Sequence, residues 1–171
     1  MRQIKINSTE GSEIVLVATA KDYMRVSTSE DDNIITRMIT QARIWCENYI
    51  SRDIVSKNRS YYMPETNGIF DLPFGPVSSI SSVTSDGTAI TYSILGLDNE
   101  SIELDGGPAE KIKVTYITTG LSDALLQSAI MQLTSTYYDN RADFASDQKS
   151  NIESIPTDVR DILNSYKAMY L

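Results

Sequence analysis

The chain has 171 residues, of which 41% are hydrophobic, a formal net charge of −8 and no histidine. Its length and hydrophobic content fit one domain with one packed core, and its acidity argues against tight sequence-independent binding to nucleic acid or to an anionic membrane. Because histidine is the commonest general base and zinc ligand, we expect no catalytic residue, no cofactor and no metal.

Residues 1–18 are interpreted as an N-terminal arm. The stretches "IKI" and "EIVLVA" flank the turn residues "NSTEGS", which predicts a short β-hairpin. The apolar run at residues 14–18 is too short for a signal peptide, and no segment approaches the roughly 20 apolar residues of a membrane span, so we expect synthesis and use in the cytoplasm. A short helix is then predicted from Thr19, whose spacing to Asp22 resembles a capping box.

A long amphipathic helix is predicted after Ser29, because apolar residues recur there at steps of three and four. This stripe consists of Ile35, Ile39, Ala42, Cys46, Tyr49 and Ile50. Cys46 is the single cysteine, so it has no disulfide partner in the chain, and its place on the stripe predicts a buried structural thiol. The acidic residues 30–32 are interpreted as complements to the helix N-terminus rather than as metal ligands.

Between residues 57 and 118 the apolar period changes to two, with turn residues between the runs. This pattern predicts about six short strands in a small antiparallel sheet or sandwich. The pair Asp86-Gly87 is typical of a type I′ hairpin turn. Pro73 and Pro76 have no amide hydrogen to donate to a strand ladder, so "LPFGP" is predicted to be a turn or a strand edge.

Helical periodicity returns over residues 122–171, with Ser122 as the predicted cap of a third helix and Pro156 at the start of a fourth. The predicted fold class is therefore α+β: a small bundle of about four helices with an antiparallel β-sheet protrusion inserted between the second and third helices. Residues 19–171 are predicted to form this domain after the arm, with helices in residues 19–52 and 122–171 and the β-insert in residues 57–118.

Four segments together resemble the phage head–tail connector family, also called adaptor or head-completion proteins. They are "EDDNIITRMITQARIWCENYISRDI", "FDLPFGPVSSISSV", "KIKVTYITTGL" running into "LLQSAIMQLTSTYYDNRADF", and "IPTDVRDILNSYKAMYL". They follow the family's order over residues 19–171. Residues 1–18 have no clear counterpart, and residues 120–123 lack the proline that the family has before its third helix.

The resemblance implies a virion structural protein of the neck, at the head–tail interface, which is assembled in the host cytoplasm. Members of this family form a ring of about twelve copies beneath the portal protein. The ring extends the DNA channel and provides a platform for tail or stopper proteins. DNA would pass through without specific binding, which the net acidity of the chain favours.

A ring requires two different patches of the subunit surface that meet between neighbouring copies. The apolar turn in the β-insert is a candidate for one of them, and the alternative is that it packs on its own subunit. The candidate ring-interface residues are Ile69, Phe70, Leu72 and Phe74.

The C-terminal segment is the candidate contact to the portal protein, because chain ends are rarely buried in their own fold and aromatic and Met side chains are enriched in interface cores. The predicted portal-binding residues are Tyr166, Lys167, Met169, Tyr170 and Leu171. Asn140 and Arg141 are interpreted as caps of the third helix rather than as contacts to portal or DNA.

Two other functions stay open. A carboxylate enzyme would use the acidic residues around the strands at 98–105, namely Asp98, Glu100, Glu103 and Asp105. Another neck protein, such as a stopper or a tail-completion protein, or a non-viral protein-binding module would have the same lack of chemical motifs. The order of helices around a β-insert favours the portal-side ring over an all-β stopper.

Overall fold

The computed structural model describes residues 1–140 and 155–167. The helices are Val17–Met24 (α1), Asp32–Ile50 (α2), Ala124–Asp139 (α3) and Thr157–Asn164 (α4). The strands are Gln3–Thr9 (β1), Lys57–Thr66 (β2), Ile69–Asp71 (β3), Val77–Ser85 (β4), Thr88–Ala89 (β5), Tyr92–Leu95 (β6), Ser101–Leu104 (β7) and Ala109–Thr118 (β8). Strands β2 to β8 lie between α2 and α3, which confirms the predicted α+β class and the predicted position of the insert.

The chain divides into two compact units. The β unit comprises residues 1–12 and 51–121, and the helical unit comprises residues 13–50 and 122–171. In the part of the chain that the structure describes, no helix is both long enough and apolar enough to cross a bilayer.

Two antiparallel sheets share the hydrophobic core of the β unit. One has five strands in the order β1-β2-β8-β4-β5, and the other has three in the order β3-β7-β6. The core is formed by inward-facing residues of both sheets, namely Tyr61, Met63, Phe70, Leu72, Val77, Val83, Ile102, Leu104, Ile112, Val114 and Tyr116. The period-two pattern of the sequence produces this core, because alternate side chains of each strand point to the same face.

The turn predictions within the insert are confirmed. Asp86 and Gly87 both have positive φ, at 47° and 83°, and they join β4 to β5 as a type I′ turn requires. Pro73 and Pro76 lie outside the strands, in the connection between β3 and β4. The insert contains seven strands rather than about six, because β3 and β5 are only three and two residues long.

The predicted hairpin within residues 1–18 is wrong. Strand β1 pairs with β2, with Ile4 opposite Tyr61, and the second half of the arm begins α1 at Val17. Pairing with β2 joins β1 to a ten-residue strand that is already part of a sheet, whereas a local hairpin would be a marginally stable two-stranded ribbon. Helix α1 therefore starts two residues before the predicted cap, and Leu16 occupies its N-cap position.

The helical unit is built by the apolar stripes that the sequence predicts. In α2 the stripe is buried at Ile35, Ile39, Ala42, Cys46 and Ile50, whereas Tyr49, the sixth residue of the predicted stripe, is half-buried. In α3 and α4 the buried apolar residues are Leu126, Ala129, Ile130, Leu133, Val159 and Leu163. Helix α3 is capped by Asp123 rather than by Ser122: its Oδ1 accepts a hydrogen bond from the Leu125 amide at 2.7 Å. Aspartate and serine are both good N-cap residues, so the sequence alone did not show which of these two neighbours caps α3.

Candidate interaction surfaces

A buried charged cluster lies at the start of β2. The Asp53 carboxylate is fully buried and accepts two hydrogen bonds from Arg59, from Nε at 2.7 Å and from Nη2 at 2.6 Å. Lys57 Nζ donates to the same carboxylate at 2.8 Å, as does Thr118 Oγ1 at 2.8 Å. Burial acts to raise the pKa of Asp53, but the hydrogen bonds and charges of Arg59 and Lys57 outweigh it and hold this pKa below its usual range.

The same cluster holds the connection between β3 and β4. The guanidinium of Arg59 lies over the Phe74 ring, 3.8 Å from its centroid, and the Asp53 amide donates to the Phe74 carbonyl at 3.3 Å. Phe74 has a φ of 65°, in the left-handed region that bulky residues rarely adopt. One residue earlier, the Pro73 carbonyl accepts a hydrogen bond from the Tyr116 hydroxyl at 2.6 Å. The connection is therefore fixed by the β unit itself.

The four candidate ring-interface residues differ in exposure. Phe70 and Leu72 are buried in the core of the β unit, and Phe74 is half-buried beneath Arg59. Ile69 is 54% exposed and is the one of the four that offers most of its side chain to a partner. The role of this set in a ring interface stays a prediction.

Two of the five candidate portal-binding residues are among the described ones, and both contact the helical unit. The Tyr166 hydroxyl donates to Asp123 Oδ1 at 2.6 Å, a contact that raises the pKa of Tyr166 and lowers the pKa of Asp123. Lys167 Nζ lies 5.3 Å from the centroid of the Tyr49 ring, which stacks on Trp45. Met169, Tyr170 and Leu171 lie outside the described residues, as does Arg141.

Other polar residues of the helical unit have structural partners. Asn140 caps α3, as predicted, by donating from Nδ2 to the Thr136 carbonyl at 2.9 Å. Of the acidic residues before α2, Asp32 forms an ion pair with Lys21 at 2.6 Å and Asp31 accepts a hydrogen bond from the Tyr138 hydroxyl at 2.6 Å. These contacts agree with the structural interpretation of that acidic run.

A second buried ion cluster ties the segment before α1 to α2. Arg43 donates from Nε to Glu13 at 2.8 Å and from Nη1 to Glu47 at 2.7 Å, and Thr40 donates to Glu13 at 2.9 Å. Arg43 and Glu47 are both buried. Burial acts to lower the pKa of Arg43, but the two carboxylates raise it above its ordinary value, so Arg43 stays charged.

The acidic residues of the carboxylate-enzyme alternative lie mostly at the surface. Asp98, Glu103 and Asp105 are exposed, and Glu100 is half-buried. Within residues 1–140 and 155–167, no three acidic, cysteine or histidine residues come together as a metal site would require.

The Asp53 cluster was missed in the sequence, although a signal for it is present. Lys57 and Arg59 lie on the same face of β2 as Tyr61 and Met63, and all four residues are buried. Charged residues on the apolar face of a strand predict a buried counter-charge, because an unpaired charge is rarely buried. Asp53 is a nearby carboxylate that could have been proposed as that counter-charge.

Comparison with known proteins gives matches at the level of structure only. No family model matches the sequence, and no curated protein matches it. A chain from the structure titled "Neck of empty GTA particle computed with C6 symmetry" superposes with a TM-score of 0.75 at 15% identity, covering 99% of this chain and 97% of that chain.

Two further solved structures contain similar chains. One is titled "Virion of native gene transfer agent (GTA) particle", with a TM-score of 0.70, 17% identity and coverage of 98% of this chain and 96% of that chain. The other is titled "Neck of native GTA particle computed with C12 symmetry", with a TM-score of 0.70, 14% identity and coverage of 99% of this chain and 97% of that chain. At these identities the likeness establishes a shared fold over nearly the whole of both chains.

Proposed function

We propose that the protein is a structural component of the neck of a phage or phage-like particle, where it forms an adaptor ring between the portal vertex and the tail. The observation that carries this proposal is the likeness to chains of gene transfer agent particles, two of them in neck structures, which extends over 98 to 99% of this chain. The four connector-like segments of the sequence also support a place in the neck, and they favour the adaptor role within it.

An assembly with cyclic symmetry fits this role. The similar neck chains come from structures computed with C6 and C12 symmetry, and a ring of about twelve copies is what the connector resemblance implies. The partners would be other copies of the chain, the portal protein on one side, and tail or stopper proteins on the other. DNA would pass through the channel, and the net charge of −8 would keep the phosphates from binding tightly.

The structural role requires no chemistry of its own. The two buried ion clusters fix connections within each unit, and three of the four acidic residues near the small sheet are exposed. The adaptor position is preferred to that of a stopper because helices precede and follow the β-insert, as in the connector family.

The test is to locate the chain in particles made by its own genome. An epitope tag in the exposed turn at residues 86–87 would be imaged by electron microscopy with a gold-labelled antibody, and particles lacking the gene would be compared. The expected result is one cluster of label at the neck, and filled heads without tails when the gene is deleted. Label on the tail tip or capsid faces, or normal particles without the gene, would overturn the proposal.

A further inference from the structure

The β unit has an open strand edge at β1, the first strand of the five-stranded sheet. All seven residues of β1 are exposed, and among the strands of residues 1–140 it pairs with β2 alone. Ile4 lies opposite Tyr61 and Ile6 opposite Arg59, both of which are buried, so the two isoleucines continue inward-facing rows of the sheet. They are nevertheless 39% and 47% exposed at the edge of the sheet. An exposed edge with apolar side chains is a template for pairing with another strand.

A second open edge lies at β6, the last strand of the three-stranded sheet. Ile94 lies opposite Ile102 of β7, and Ile102 lies opposite Phe70 of β3. Ile102 and Phe70 are both buried in the core. Ile94 is 47% exposed at the open end of this row, and Leu97 is fully exposed in the loop that follows β6. This edge therefore has the same property as β1: an apolar row that ends without a covering strand.

The segments that contain the two edges carry opposite charges. Residues 1–9 contain two basic residues, Arg2 and Lys5, and no acidic one. Residues 92–105 contain four acidic residues and no basic one. These acidic residues are Asp98, Glu100, Glu103 and Asp105. Strand β6 itself is uncharged, and the four carboxylates lie beside it: Asp98 and Glu100 in the loop that follows it, Glu103 on the neighbouring β7 and Asp105 just after β7. In a chain of net charge −8, a basic strand edge and an apolar edge flanked by acidic residues are complementary in charge.

We propose that β1 of one copy pairs with β6 of a neighbouring copy, so that the basic edge of each subunit docks on the acidic edge of the next. Main-chain hydrogen bonds would join the two sheets across the interface, as in β-augmentation. Ile4 and Ile6 would cover Ile94, while Arg2 and Lys5 would face the acidic residues that follow β6. This assigns a role to the N-terminal segment for which the connector resemblance offers no counterpart.

The pairing is heterologous, since a subunit uses β1 toward one neighbour and β6 toward the other. Contacts of this kind build a closed ring when the rotation between subunits divides a full turn, and they are not satisfied in a symmetric dimer. The proposal rests on the ring assembly of the proposed function and supplies contacts that hold such a ring. It adds β1 and β6 to the predicted interface around Ile69, which lies on β3 at the opposite edge of the same small sheet.

The test uses paired cysteines on the two edges of the full chain. Gln3→Cys and Ser93→Cys place exposed thiols on the outward faces of β1 and β6, while the native Cys46 is buried and does not interfere. With a short bis-maleimide, the double variant is expected to give a ladder of covalent dimers, trimers and larger species. Each single variant should give far less crosslinked product, because β1 does not meet β1, and β6 does not meet β6, between neighbouring subunits. The matched control pairs Gln3→Cys with Thr88→Cys, on the exposed edge strand β5.

Charge reversal provides a second readout that does not depend on the thiol positions. Lys5→Glu or Glu103→Lys, both at exposed sites, is expected to lower the yield of the ladder about fivefold at low salt. Combining the two reversals is expected to restore most of it, which a merely destabilising change would not do. A loss that the combined variant does not recover would contradict the charge complementarity.

The crosslinking is run on the purified chain over a range of concentrations and on particles that contain the double variant. No ladder in either sample, an equal ladder in the β1–β5 control, or a link formed only within one chain overturns the proposal. A chain found at the neck without the ladder refutes this pairing and leaves the proposed function intact. A ladder from a chain that is absent from particles supports the pairing and refutes the proposed function.

Discussion

Arg59 donates hydrogen bonds to both oxygens of the fully buried Asp53 carboxylate, with nitrogen–oxygen distances of 2.6 and 2.7 Å. The guanidinium also covers the Phe74 ring, so a single side chain joins the start of β2 to the connection between β3 and β4. A planar guanidinium provides this geometry, because it donates in a fork and stacks on an aromatic face at once.

We expect Asp53→Asn to destabilise the protein by about 3 kcal/mol, because it leaves the buried Arg59 charge facing a neutral amide. The measurement is the urea midpoint of unfolding followed by circular dichroism. Asp86→Asn is the matched control, since it breaks the exposed ion pair with Lys111 at 3.0 Å and should leave the midpoint unchanged. Equal midpoints for the two variants would mean that the buried cluster does not stabilise the β unit.

The same carboxylate predicts how stability depends on pH. Because the pKa of Asp53 is lower in the folded protein than in the unfolded chain, its contribution is fully present above the unfolded value of about 3.9 and is lost as the pH falls toward the folded value. The urea midpoint of the wild type should therefore fall below about pH 4 more steeply than that of Asp53→Asn. Parallel curves for the two proteins would contradict the assignment.

Gly120, between β8 and α3, occupies a place that no side chain fits. Its φ is +80°, and a Cβ there would lie 2.9 Å from the Ile54 carbonyl oxygen and 2.9 Å from the Ser56 amide nitrogen. We expect Gly120→Ala to cost about 3 kcal/mol or more in unfolding free energy, from the left-handed backbone and the clash together. Urea unfolding measures the loss.

Two other glycines separate the effect of the left-handed backbone from the effect of the clash. Gly87 has a φ of +83° with open space around it, so Gly87→Ala reports the backbone strain alone. Gly106 has neither the left-handed φ nor a neighbour within 4 Å, so Gly106→Ala should be nearly neutral. A loss at Gly120 no greater than that at Gly87 would show that the backbone around Ile54 yields without cost.

The parts of the fold that follow local rules could be predicted from the sequence. Steps of three and four gave the buried stripe of α2, and the pair Asp86-Gly87 gave the turn between β4 and β5. The partner of β1 could not be predicted, because it lies roughly fifty residues away and period-two patterns do not specify which strand a segment joins. For the same reason the sequence did not show that β1 and β6 are edge strands, which follows only from the order of strands in the two sheets.

The candidate surfaces were harder to predict than the fold. An apolar turn such as the one around Phe70 and Leu72 gives the same sequence pattern whether it packs inward or faces a partner. The structure buries both residues and leaves Ile69 exposed, which the alternation along β3 accounts for once its inward face is known.

Cys46 is expected to be unreactive in the folded protein. It is fully buried, and burial, with a smaller effect of Glu47, raises the pKa of its thiol to about 12. An aromatic disulfide reagent at pH 8 should label no thiol in the native state and one per chain in denaturant, since the thiolate is the reactive form. The exposed Ser93→Cys variant should label at once under native conditions. Rapid labelling of the wild type would mean that α2 opens readily around Cys46.

The final residues are expected to bind the portal protein rather than to stabilise the subunit. Deleting residues 169–171 removes Met169, Tyr170 and Leu171, and we expect it to weaken binding to the portal protein of the same genome at least thirtyfold, as loss of interface hot spots does. Biolayer interferometry with immobilised portal measures the affinity, and the melting temperature should stay unchanged.

Tyr166→Phe is the matched variant for this deletion. It keeps the aromatic ring for any portal contact but removes the hydroxyl that donates to Asp123 at 2.6 Å, so its effect reports the attachment of α4 to the cap of α3. We expect it to leave portal affinity within about twofold of the wild type, because the contact it loses lies within the helical unit. If Tyr166→Phe weakens portal binding as much as the deletion does, binding depends on the position of α4 rather than on the final side chains. If neither change weakens binding, the contact to the portal lies elsewhere, and the prediction for the C-terminal segment is wrong.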